Sequence, residues 1–458
     1  MEDSDRGDDD AWEPPFIQPH RHDINKFGRY ASPDQERARI DGHDIEDLAA
    51  AYGSPLFVAS ERRLRENVRR IRQAFENRYE GTVVHGWSYK TNYTSALCSI
   101  LHQEGSWAEV VSRFEYEKAR SLGVPGRRII FNGPHKPRES LERAIAEEAR
   151  LHVDHLDELS LIEAIGRDRG ECVPVTLRLN FNTGYTDPWT RFGFNLESGQ
   201  AHEAAARVRR SRHLRLTGLH SHIGTFILEP RAYGEQARLM CRFLAEAEAD
   251  GHTGIDTLDI GGGFPSMNAL QGIYLPPEQA VPEVDDYAAE VCAALKEGLD
   301  GRPPPTLILE SGRAVVDDAV SLIATVTGTK RLPDGRRAAI LDAGINILFT
   351  ALWYHHPVKL ARPKTGEPEE TVLYGPLCMN IDVVRQSVRL PPLVVGDRLV
   401  INPAGAYNNT QWMQFIEYRP PVILTHRDGG LSVIRDGEGL DDLCRHDHVP
   451  PHLAPPLD

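Results

Sequence analysis

The sequence of 458 residues has few cysteines and no long apolar run. Its six cysteines are scattered without a Cys-x-x-Cys pair, which argues against a disulfide framework and against a cysteine-based zinc site. The most apolar stretch, residues 344–354, is shorter than the roughly 20 residues that a membrane-spanning helix needs. The N-terminus, MEDSDRGDDD, is acidic where a signal peptide has a basic and then an apolar stretch. These absences predict a cytoplasmic protein that does not enter membranes.

An excess of basic residues is also missing. Lysine and arginine number 52 against 67 aspartates and glutamates, which gives a formal net charge of −15. That balance argues against a nucleic-acid-binding protein, whose phosphate contacts need an excess of positive charge. Neither a P-loop nor a Gly-x-Gly-x-x-Gly fingerprint occurs in the sequence. The length is sufficient for two domains.

An alternation of strand-like and helical patterns dominates the middle of the chain. Between about residues 82 and 312 the strand-like runs are VVHGWSYK, WAEVV, RRIIF, LHVDH, VPVTLRLN, LRLTGLHSHIG, TLDIGGG and TLILESG. Eight strand–helix units of this total length favour a (β/α)8 TIM barrel over an open doubly wound sheet. After Arg313 the apolar runs are separated by Gly, Pro and Asp and show little helical period. They predict a second, mostly antiparallel β domain.

The predicted domain organisation therefore has five parts. Residues 1–35 form a disordered or loosely draped arm, and residues 36–58 form a segment that joins the β domain. Residues 59–315 form the barrel and residues 316–436 the β domain, and a flexible tail follows at 437–458.

Unusual polar clusters end several of the predicted barrel strands, where TIM barrels carry their active sites. Lys90 ends the first strand, and it is either a solvated loop residue or a nucleophile that forms a Schiff base. His220 and His222 end the sixth strand on one face. This pair suits a hydrogen-bonded buried histidine or an imidazole stacked on a flat cofactor ring. A metal site is the least favoured reading, because no third or fourth ligand is evident.

The seventh and eighth strands end in groups that suit a phosphate. Gly261–Gly263 follow the apolar run TLDI and would let backbone N–H groups approach an anion. The eighth strand ends in Glu310-Ser311-Gly312-Arg313, which offers a carboxylate and a guanidinium. A lysine, a histidine, a phosphate site and a carboxylate at one barrel mouth together indicate pyridoxal phosphate, because the carboxylate would keep the pyridine nitrogen protonated.

An ordered series of motifs carries a resemblance to a known family. The series runs from DGHDIEDLAAAYGSPLFV through SYKTN, AEVVS, GLHSHIG, LDIGGGFP, ESGR, DAG and GPLCMNID to GDRLVINPAGAY. In this order the sequence resembles the fold-type III pyridoxal-phosphate decarboxylases, the group that contains diaminopimelate and ornithine decarboxylases. The resemblance extends from about Asp41 to Trp412, and it implies an alanine-racemase-like barrel with a β domain.

The resemblance also implies roles for individual residues. Lys90 would form the Schiff base with the cofactor, His222 would stack on its ring, and Glu310 would pair with its pyridine nitrogen. Cys378, in GPLCMNID, would come from the partner subunit and protonate the carbanion left by carbon dioxide, so the enzyme would be a homodimer with two shared active sites. The phosphate would be bound by Thr225, Gly261, Gly262, Gly263, Gly312, Arg313 and Tyr407.

Departures from the family pattern fall where the far end of the substrate would lie. Met379 stands where these decarboxylases carry an acidic residue, and Thr350 where the diaminopimelate enzymes carry an arginine. The remaining candidates for substrate contact are Arg313, Tyr354, Met379 and Asp382. Because an unpaired charge in a partly dry pocket is costly, these departures predict a substrate other than diaminopimelate or ornithine.

The expected substrate is therefore an amino acid or an amino-acid conjugate with a bulkier or differently charged far end. Trp353, His355 or His356 would meet that end, although the two histidines could also be simply solvated. An amino-acid racemase or epimerase on the same fold is the alternative, but such enzymes typically place a tyrosine where Cys378 stands. An inactive regulatory homologue is the third reading, and it would be expected to have lost Lys90 or the glycine turn. No metal is expected.

Overall fold

The structure, a computed structural model, describes residues 38–273 and 275–453. The arm predicted at 1–35 lies outside these residues. Within them, no helix has the length and apolar character needed to cross a bilayer.

The first part of the described chain belongs to the β domain rather than to the barrel. Asp44 caps the first helix by accepting the backbone N–H of Glu46. The elements that follow one another here are β1 (Arg39–Ile40), β2 (His43–Asp44), α1 (Ile45–Tyr52) and β3 (Leu56–Ser60). All the residues of β3 are buried, because this strand lies inside the sheet of the second domain.

Eight parallel strands then form a closed barrel, which confirms the predicted fold. The barrel closes because β12 pairs with β4 and β10 pairs with β8, while the short β9 is an additional strand that pairs in parallel with the end of β8. The strands are β4 (Val83–Ser88), β5 (Trp107–Val110), β6 (Ile129–Phe131), β7 (Arg150–Val153), β8 (Val173–Asn180), β9 (Phe194–Asn195), β10 (Leu214–Ser221), β11 (Thr257–Asp259) and β12 (Thr306–Leu309).

Helices alternate with these strands around the barrel. The first of them is amphipathic: Ser60 accepts the N–H of Arg63 at its start, and Leu64, Val68 and Ile71 are buried along one face. The helices are α2 (Glu61–Glu76), α3 (Ser95–Gln103), α4 (Arg113–Ser121), α5 (Arg138–Ala146), α6 (Leu156–Arg169), α7 (Gln200–Arg210), α8 (Pro230–Ala249), α9 (Pro277–Ala280), α10 (Val284–Leu299) and α11 (Arg313–Val316).

The second domain is a mixed sheet in which β3 lies between β13 and β19. The pairings β14–β16 and β3–β19 are parallel, and the other pairings among its described strands are antiparallel. Its later strands are β13 (Val320–Arg331), β14 (Arg337–Leu341), β15 (Val358–Leu360), β16 (Glu369–Tyr374), β17 (Val383–Leu390), β18 (Arg398–Ile401), β19 (Val422–Thr425) and β20 (Leu431–Arg435). The tail after residue 436 contains a short helix, α12 (Leu440–Cys444), which the sequence analysis does not predict.

A buried lysine in the loop after β6 forms hydrogen bonds with three barrel segments. The Nζ of Lys136 donates to the carbonyl oxygens of Gly133 and His152 at 2.7 and 2.8 Å and to Glu158 Oε1 at 2.6 Å. Glu158 in turn accepts the backbone N–H of Asp154 through Oε2. Burial lowers the pKa of Lys136, and the adjacent charge of Glu158 only partly opposes this. The pair therefore connects the loop after β6 to β7 and to α6.

Removing one partner of this pair is predicted to destabilise the barrel. Lys136→Met leaves the carboxylate of Glu158 buried without a cation, so the free energy of unfolding should fall by about 3–5 kcal/mol. Urea unfolding followed by far-UV circular dichroism measures the change. The double variant Lys136→Met/Glu158→Leu should recover most of the loss, and a double variant as unstable as the single one would show that the ion pair is not the cause.

Candidate active site

The polar clusters expected from the sequence meet at one end of the barrel. Lys90 follows β4, His222 follows β10, Gly261 follows β11 and Glu310 follows β12. Because all eight strands are parallel, their carboxyl ends share one mouth. This mouth is the candidate active site.

Lys90 lies on a short 3-10 turn (Tyr89–Thr91) directly after β4. Its Nζ donates to Glu109 Oε2 at 2.5 Å, and Glu109 is fully buried on β5. Desolvation alone would favour the neutral amine, but the carboxylates of Glu109 and Glu310 outweigh it and raise the pKa of Lys90. The lysine is therefore a cation in this structure, and a nucleophilic role requires transfer of a proton. Glu109 is the nearest carboxylate to receive it.

Glu310 contacts side chains on or directly after two strands, β6 and β10, that do not pair with β12. Asn132, which follows β6, donates its side-chain amide to Glu310 Oε1 at 2.5 Å and to Glu109 Oε1 at 3.0 Å. The Nε2 of His220 lies 3.5 Å from Glu310 Oε2. One amide thus links the carboxylate beside Lys90 to the carboxylate predicted to face the cofactor nitrogen.

A second carboxyl group and two histidines lie behind Glu310. Asp259 accepts the N–H of Gly261 at 2.8 Å through Oδ1, and its Oδ2 lies 3.9 Å from His152 Nδ1. Burial and the negative charge of Glu310 raise the pKa of Asp259 well above its usual range. Burial and the charge of His220 lower the pKa of His152 well below its usual range. Burial and the charge of Arg178 do the same to the pKa of His220. The site therefore favours the protonated form of Asp259 and the neutral forms of both imidazoles.

His152 and His220 are also potential metal ligands, together with Glu310. Potential ligand atoms of His152, His220 and Glu310 lie within 4.8 Å of one another, so the third ligand that the sequence did not reveal is present in space. The cluster is buried, however, and Glu310 already accepts the amide of Asn132. That no metal binds stays a prediction.

His222 presents a neutral ring at the mouth. Burial, with smaller effects from the charges of Arg178 and Lys90, lowers the pKa of His222 to about 3. Its Nδ1 accepts the backbone N–H of Gly262 at 3.1 Å, which fixes the ring plane. The indole of Trp189, on the loop between β8 and β9, packs against its edge with ring centroids 5.4 Å apart. An uncharged and oriented imidazole is suited to stacking on a flat ring.

The glycine turn after β11 is packed too closely for side chains. A Cβ on Gly262 would lie 2.4 Å from the carbonyl oxygen of Glu310, and one on Gly263 would lie 2.4 Å from that of Gly224. Gly263 also has a φ of +97°, which favours glycine. In this structure Gly261 and Gly262 donate their N–H groups to Asp259 and His222. These two glycines thus order the mouth by close backbone approach.

Arg313 supplies positive charge beside this turn. Its Nη2 donates to the hydroxyl of Thr225 at 3.0 Å, whereas Nη1 is buried without a hydrogen-bond partner in the described part of the chain. The guanidinium is surrounded by the rings of Phe226, Tyr354 and Tyr407, whose centroids lie 4.9 to 5.4 Å away. Gly312 is required next to it, because a Cβ there would lie 2.1 Å from the hydroxyl of Thr91. A buried guanidinium with an unused donor fits a phosphate group.

The loop that carries Cys378 connects β16 to β17. Cys378 is exposed in the single chain, and Met379 packs partly against the core. The carboxylate of Asp382 accepts the backbone N–H groups of Ile345 and Leu377, both at 2.8 Å. Asp382 thus fixes the base of the loop, while a direct contact to substrate stays a prediction for it and for Met379.

The residues near the expected far end of the substrate have different environments. Thr350 is fully buried, and its hydroxyl bonds to His356 Nε2 and Asn408 Oδ1, both at 2.9 Å. His356 is equally buried, and burial lowers its pKa to about 4. The interpretation of both histidines as solvated is therefore wrong for His356. His355 is exposed and lines a cavity together with Tyr354.

Several residues of the mouth were missed by the sequence analysis. Each is a polar residue within or just after an apolar strand, and the strand sequences IIFN and TLDI contain the signal. A pattern of alternating side chains cannot show whether such a residue faces the barrel interior or a helix. The three-dimensional fold is therefore needed to recognise it as a residue of the site. The missed residues are Glu109, Asn132, His152, Arg178 and Asp259.

The chain is similar to proteins of one known family. The family model described as "Pyridoxal-dependent decarboxylase, pyridoxal binding domain" matches residues 61–317. The diaminopimelate decarboxylase of Methanocaldococcus jannaschii is 31% identical over 429 residues, which cover 90% of this chain and 95% of that protein. That of Methanothermobacter thermautotrophicus is 29% identical and covers 92% and 97%. A crystal structure of the M. jannaschii enzyme in complex with L-lysine superposes with a TM-score of 0.84 at 29% identity, covering 92% of this chain and 98% of that one.

These relatives contradict one expectation from the sequence. The absence of an acidic residue at Met379 and of an arginine at Thr350 led to the exclusion of diaminopimelate, yet the full-length relatives are diaminopimelate decarboxylases. The exclusion was wrong because it assumed that a distal charge can be matched only at two positions of the chain. A pocket wall is built from several elements, and any of them can supply the charge. The relatives also favour a decarboxylase over the racemase and regulatory readings.

The protonation state of Asp259 generates a prediction. Asp259→Asn keeps an oxygen that accepts the N–H of Gly261 and is neutral like the protonated acid, so the affinity for pyridoxal phosphate should stay within about threefold. Asp259→Ala leaves that N–H buried and unpaired and should weaken the affinity by roughly tenfold or more. Absorbance titration of the cofactor into each apoenzyme measures both. An Asn variant as weak as the Ala variant would mean that the aspartate is ionised.

Proposed function

This chain belongs to the pyridoxal-dependent decarboxylase family, and we propose that its reaction is the removal of one carboxylate from diaminopimelate. The chain is a carboxy-lyase whose cofactor is pyridoxal phosphate. The observation that carries the choice of substrate is the similarity over nine-tenths of the chain to diaminopimelate decarboxylases. The reaction yields lysine, the molecule held in one structure of the M. jannaschii relative.

The residues of the mouth fit the cofactor. Pyridoxal phosphate, when bound, supplies an electron sink that stabilises the carbanion left by carbon dioxide. Lys90 is the amine that would hold it, and Arg313, with its unused buried Nη1, is the cation for its phosphate. The neutral ring of His222, fixed by the N–H of Gly262, provides a flat surface for stacking. Thr225, the glycine turn, Gly312 and Tyr407 complete the set proposed for the phosphate.

The carboxylates of Glu109 and Glu310 have different proposed roles at this mouth. Glu109 Oε2 lies 2.5 Å from Lys90 Nζ, so it can take the proton that the lysine must lose before it acts as a nucleophile. Glu310, whose Oε1 accepts the amide of Asn132, would pair with the pyridine nitrogen. A fixed negative charge at that position preorganises the site for the charge that develops in the reaction.

The proton that replaces the departing carboxylate would come from the partner subunit in a homodimer. Cys378 is exposed on the loop between β16 and β17, and its loop is fixed at the base by Asp382. Exposure in a single chain is what a residue needs if it is to reach into a neighbouring active site. The homodimer with two shared sites and a cytoplasmic location are part of the same proposal.

Steady-state kinetics test the substrate. The purified protein, loaded with pyridoxal phosphate, should release carbon dioxide from diaminopimelate and form lysine with a kcat/KM of about 10⁴ M⁻¹s⁻¹ or more. Lysine and ornithine should be poorer substrates by at least roughly tenfold, because they lack the second carboxylate. Lys90→Ala is the matched inactive control. Carbon dioxide release from diaminopimelate that does not exceed the release by this control would refute the assignment.

Subunit complementation tests the shared site. Lys90→Ala and Cys378→Ala should each be nearly inactive alone. Mixed dimers should regain a minority of the wild-type activity, because one of their two pockets receives both intact residues. Activity is measured after subunit exchange has been demonstrated by native mass spectrometry. No recovery in exchanged dimers would place both residues in the same chain's site or remove Cys378 from the reaction.

A further inference from the structure

The side chain of Asp317 joins two segments that are far apart in the sequence. Asp317 directly follows the short helix α11, whose first residue is Arg313, and it is almost completely buried. Its Oδ2 accepts the hydroxyl of Ser266 and, at 2.7 Å, the side-chain amide of Asn268. Its Oδ1 accepts the backbone N–H of Ala406 at 3.0 Å. All three partners are donors, which is the set that the two acceptor oxygens of a carboxylate require.

The first of the two segments continues the glycine turn after β11. Ser266 and Asn268 follow Gly263 within five residues, and both are buried. Residues 261–269 lie in neither a helix nor a strand, so no regular ladder of backbone hydrogen bonds holds them. The two side-chain bonds to Asp317 take the place of such a ladder and fix the path of the chain directly beyond the turn.

The second segment is held by the main chain of Asp317 as well as by its carboxylate. The carbonyl oxygen of Asp317 accepts the N–H groups of Ala404 and Gly405, at 3.1 and 2.9 Å. The segment also lies against α11, because a Cβ on Gly405 would be 2.0 Å from the carbonyl oxygen of Val316. Three consecutive backbone N–H groups, 404–406, are therefore bound to one residue at the end of α11.

Tyr407 follows this segment directly and reaches the cofactor site. Its φ is +65°, a left-handed conformation that a residue with a side chain keeps only where its surroundings fix it. Its N–H donates at 2.8 Å to the carbonyl oxygen of Thr91, next to Lys90. Its ring centroid lies 4.9 Å from the guanidinium carbon of Arg313. The bonds from Asp317 to the preceding residues are among the contacts that hold Tyr407 in this position.

We propose that Asp317 is a positioning residue for the phosphate of the cofactor, which holds the glycine turn, Arg313 and Tyr407 in one arrangement. The inference rests on the phosphate site of the proposed function and adds a residue to it. Asp317 acts through these groups and not by contact, because a carboxylate repels a phosphate and both of its oxygens already accept donors from the two segments. Its N–H donates to the carbonyl oxygen of Arg313 at 3.0 Å, so the same residue also closes the turn of α11.

The affinity for pyridoxal phosphate relative to pyridoxal tests the assignment. Pyridoxal lacks the phosphate but can still react with Lys90, so this ratio reports on the phosphate site separately from the rest of the mouth. In Asp317→Ala the N–H of Ala406 and the amide of Asn268 lose their acceptor. Absorbance titration of the apoenzyme should show roughly tenfold or more weaker binding of pyridoxal phosphate, and a change of less than about threefold for pyridoxal. At saturating pyridoxal phosphate, kcat should stay within about threefold of wild type.

Two further variants separate positioning from a general loss of stability. Asp318→Ala is the matched control, because the carboxylate of Asp318 accepts the amide of Asn67 on α2 at 2.6 Å and contacts neither segment. It should lower the thermal midpoint and leave the affinity ratio unchanged. Ser266→Ala removes one donor to Asp317 and should lower the ratio by about threefold or more. It serves as the test if Asp317→Ala does not fold.

An unchanged ratio in Asp317→Ala, or in Ser266→Ala where only that variant folds, would overturn the inference. An equal fall in Asp318→Ala would also overturn it, because the effect would then follow from lost stability. Arg313→Met distinguishes this failure from a failure of the proposed phosphate site. It should lower the ratio by tenfold or more whether or not Asp317 has the role proposed here, and an unchanged ratio in Arg313→Met would refute the phosphate site and the inference together.

Discussion

The burial of several carboxyl groups at one barrel mouth is the constraint on which the rest of the site depends. Glu109, Asp259 and Glu310 lie on or just after three strands, and all of them are nearly inaccessible to solvent. Three adjacent negative charges cannot be sustained there, so each group is either paired or protonated. Lys90 neutralises the first, the second keeps its proton, and Asn132 supports the third. The surroundings of Glu310, the carboxylate proposed to face the cofactor nitrogen, are thus set by its neighbours rather than by solvent.

Close backbone contacts at the glycine turn also help to position the rings of the site. Gly262 and Gly263 approach neighbouring carbonyl carbons and oxygens so closely that no side chain could replace their hydrogens. This proximity positions His222, and on the other side of the turn Arg313 is enclosed by aromatic rings. One of those rings, Tyr354, also borders the cavity that His355 lines. Tyr354 therefore contacts both the guanidinium of Arg313 and a separate cavity.

Much of this could be predicted from the sequence, for identifiable reasons. Eight apolar runs separated by helical patterns specify a barrel, and Lys90, His222 and Glu310 lie at strand ends, where a closed parallel sheet brings them together. Asp259 and its neighbours within strands could not be assigned, because orientation inside a barrel depends on strand tilt and register. The role of Thr350 was misjudged for the same kind of reason. A substituted position in a motif does not reveal which other elements of the fold supply charge to the same pocket.

The position of β3 in the second domain has a consequence for biosynthesis. Its residues LFVAS are all buried, yet its partners β13 and β19 come after the whole barrel in the sequence. During synthesis, this apolar strand has no hydrogen-bonding partner until the whole barrel and β13 have been translated, and its second partner, β19, follows near the end of the second domain. Until then it is an exposed edge, the type of segment that chaperones bind and that otherwise aggregates. The sheet of the second domain can therefore be completed only after the barrel has been translated.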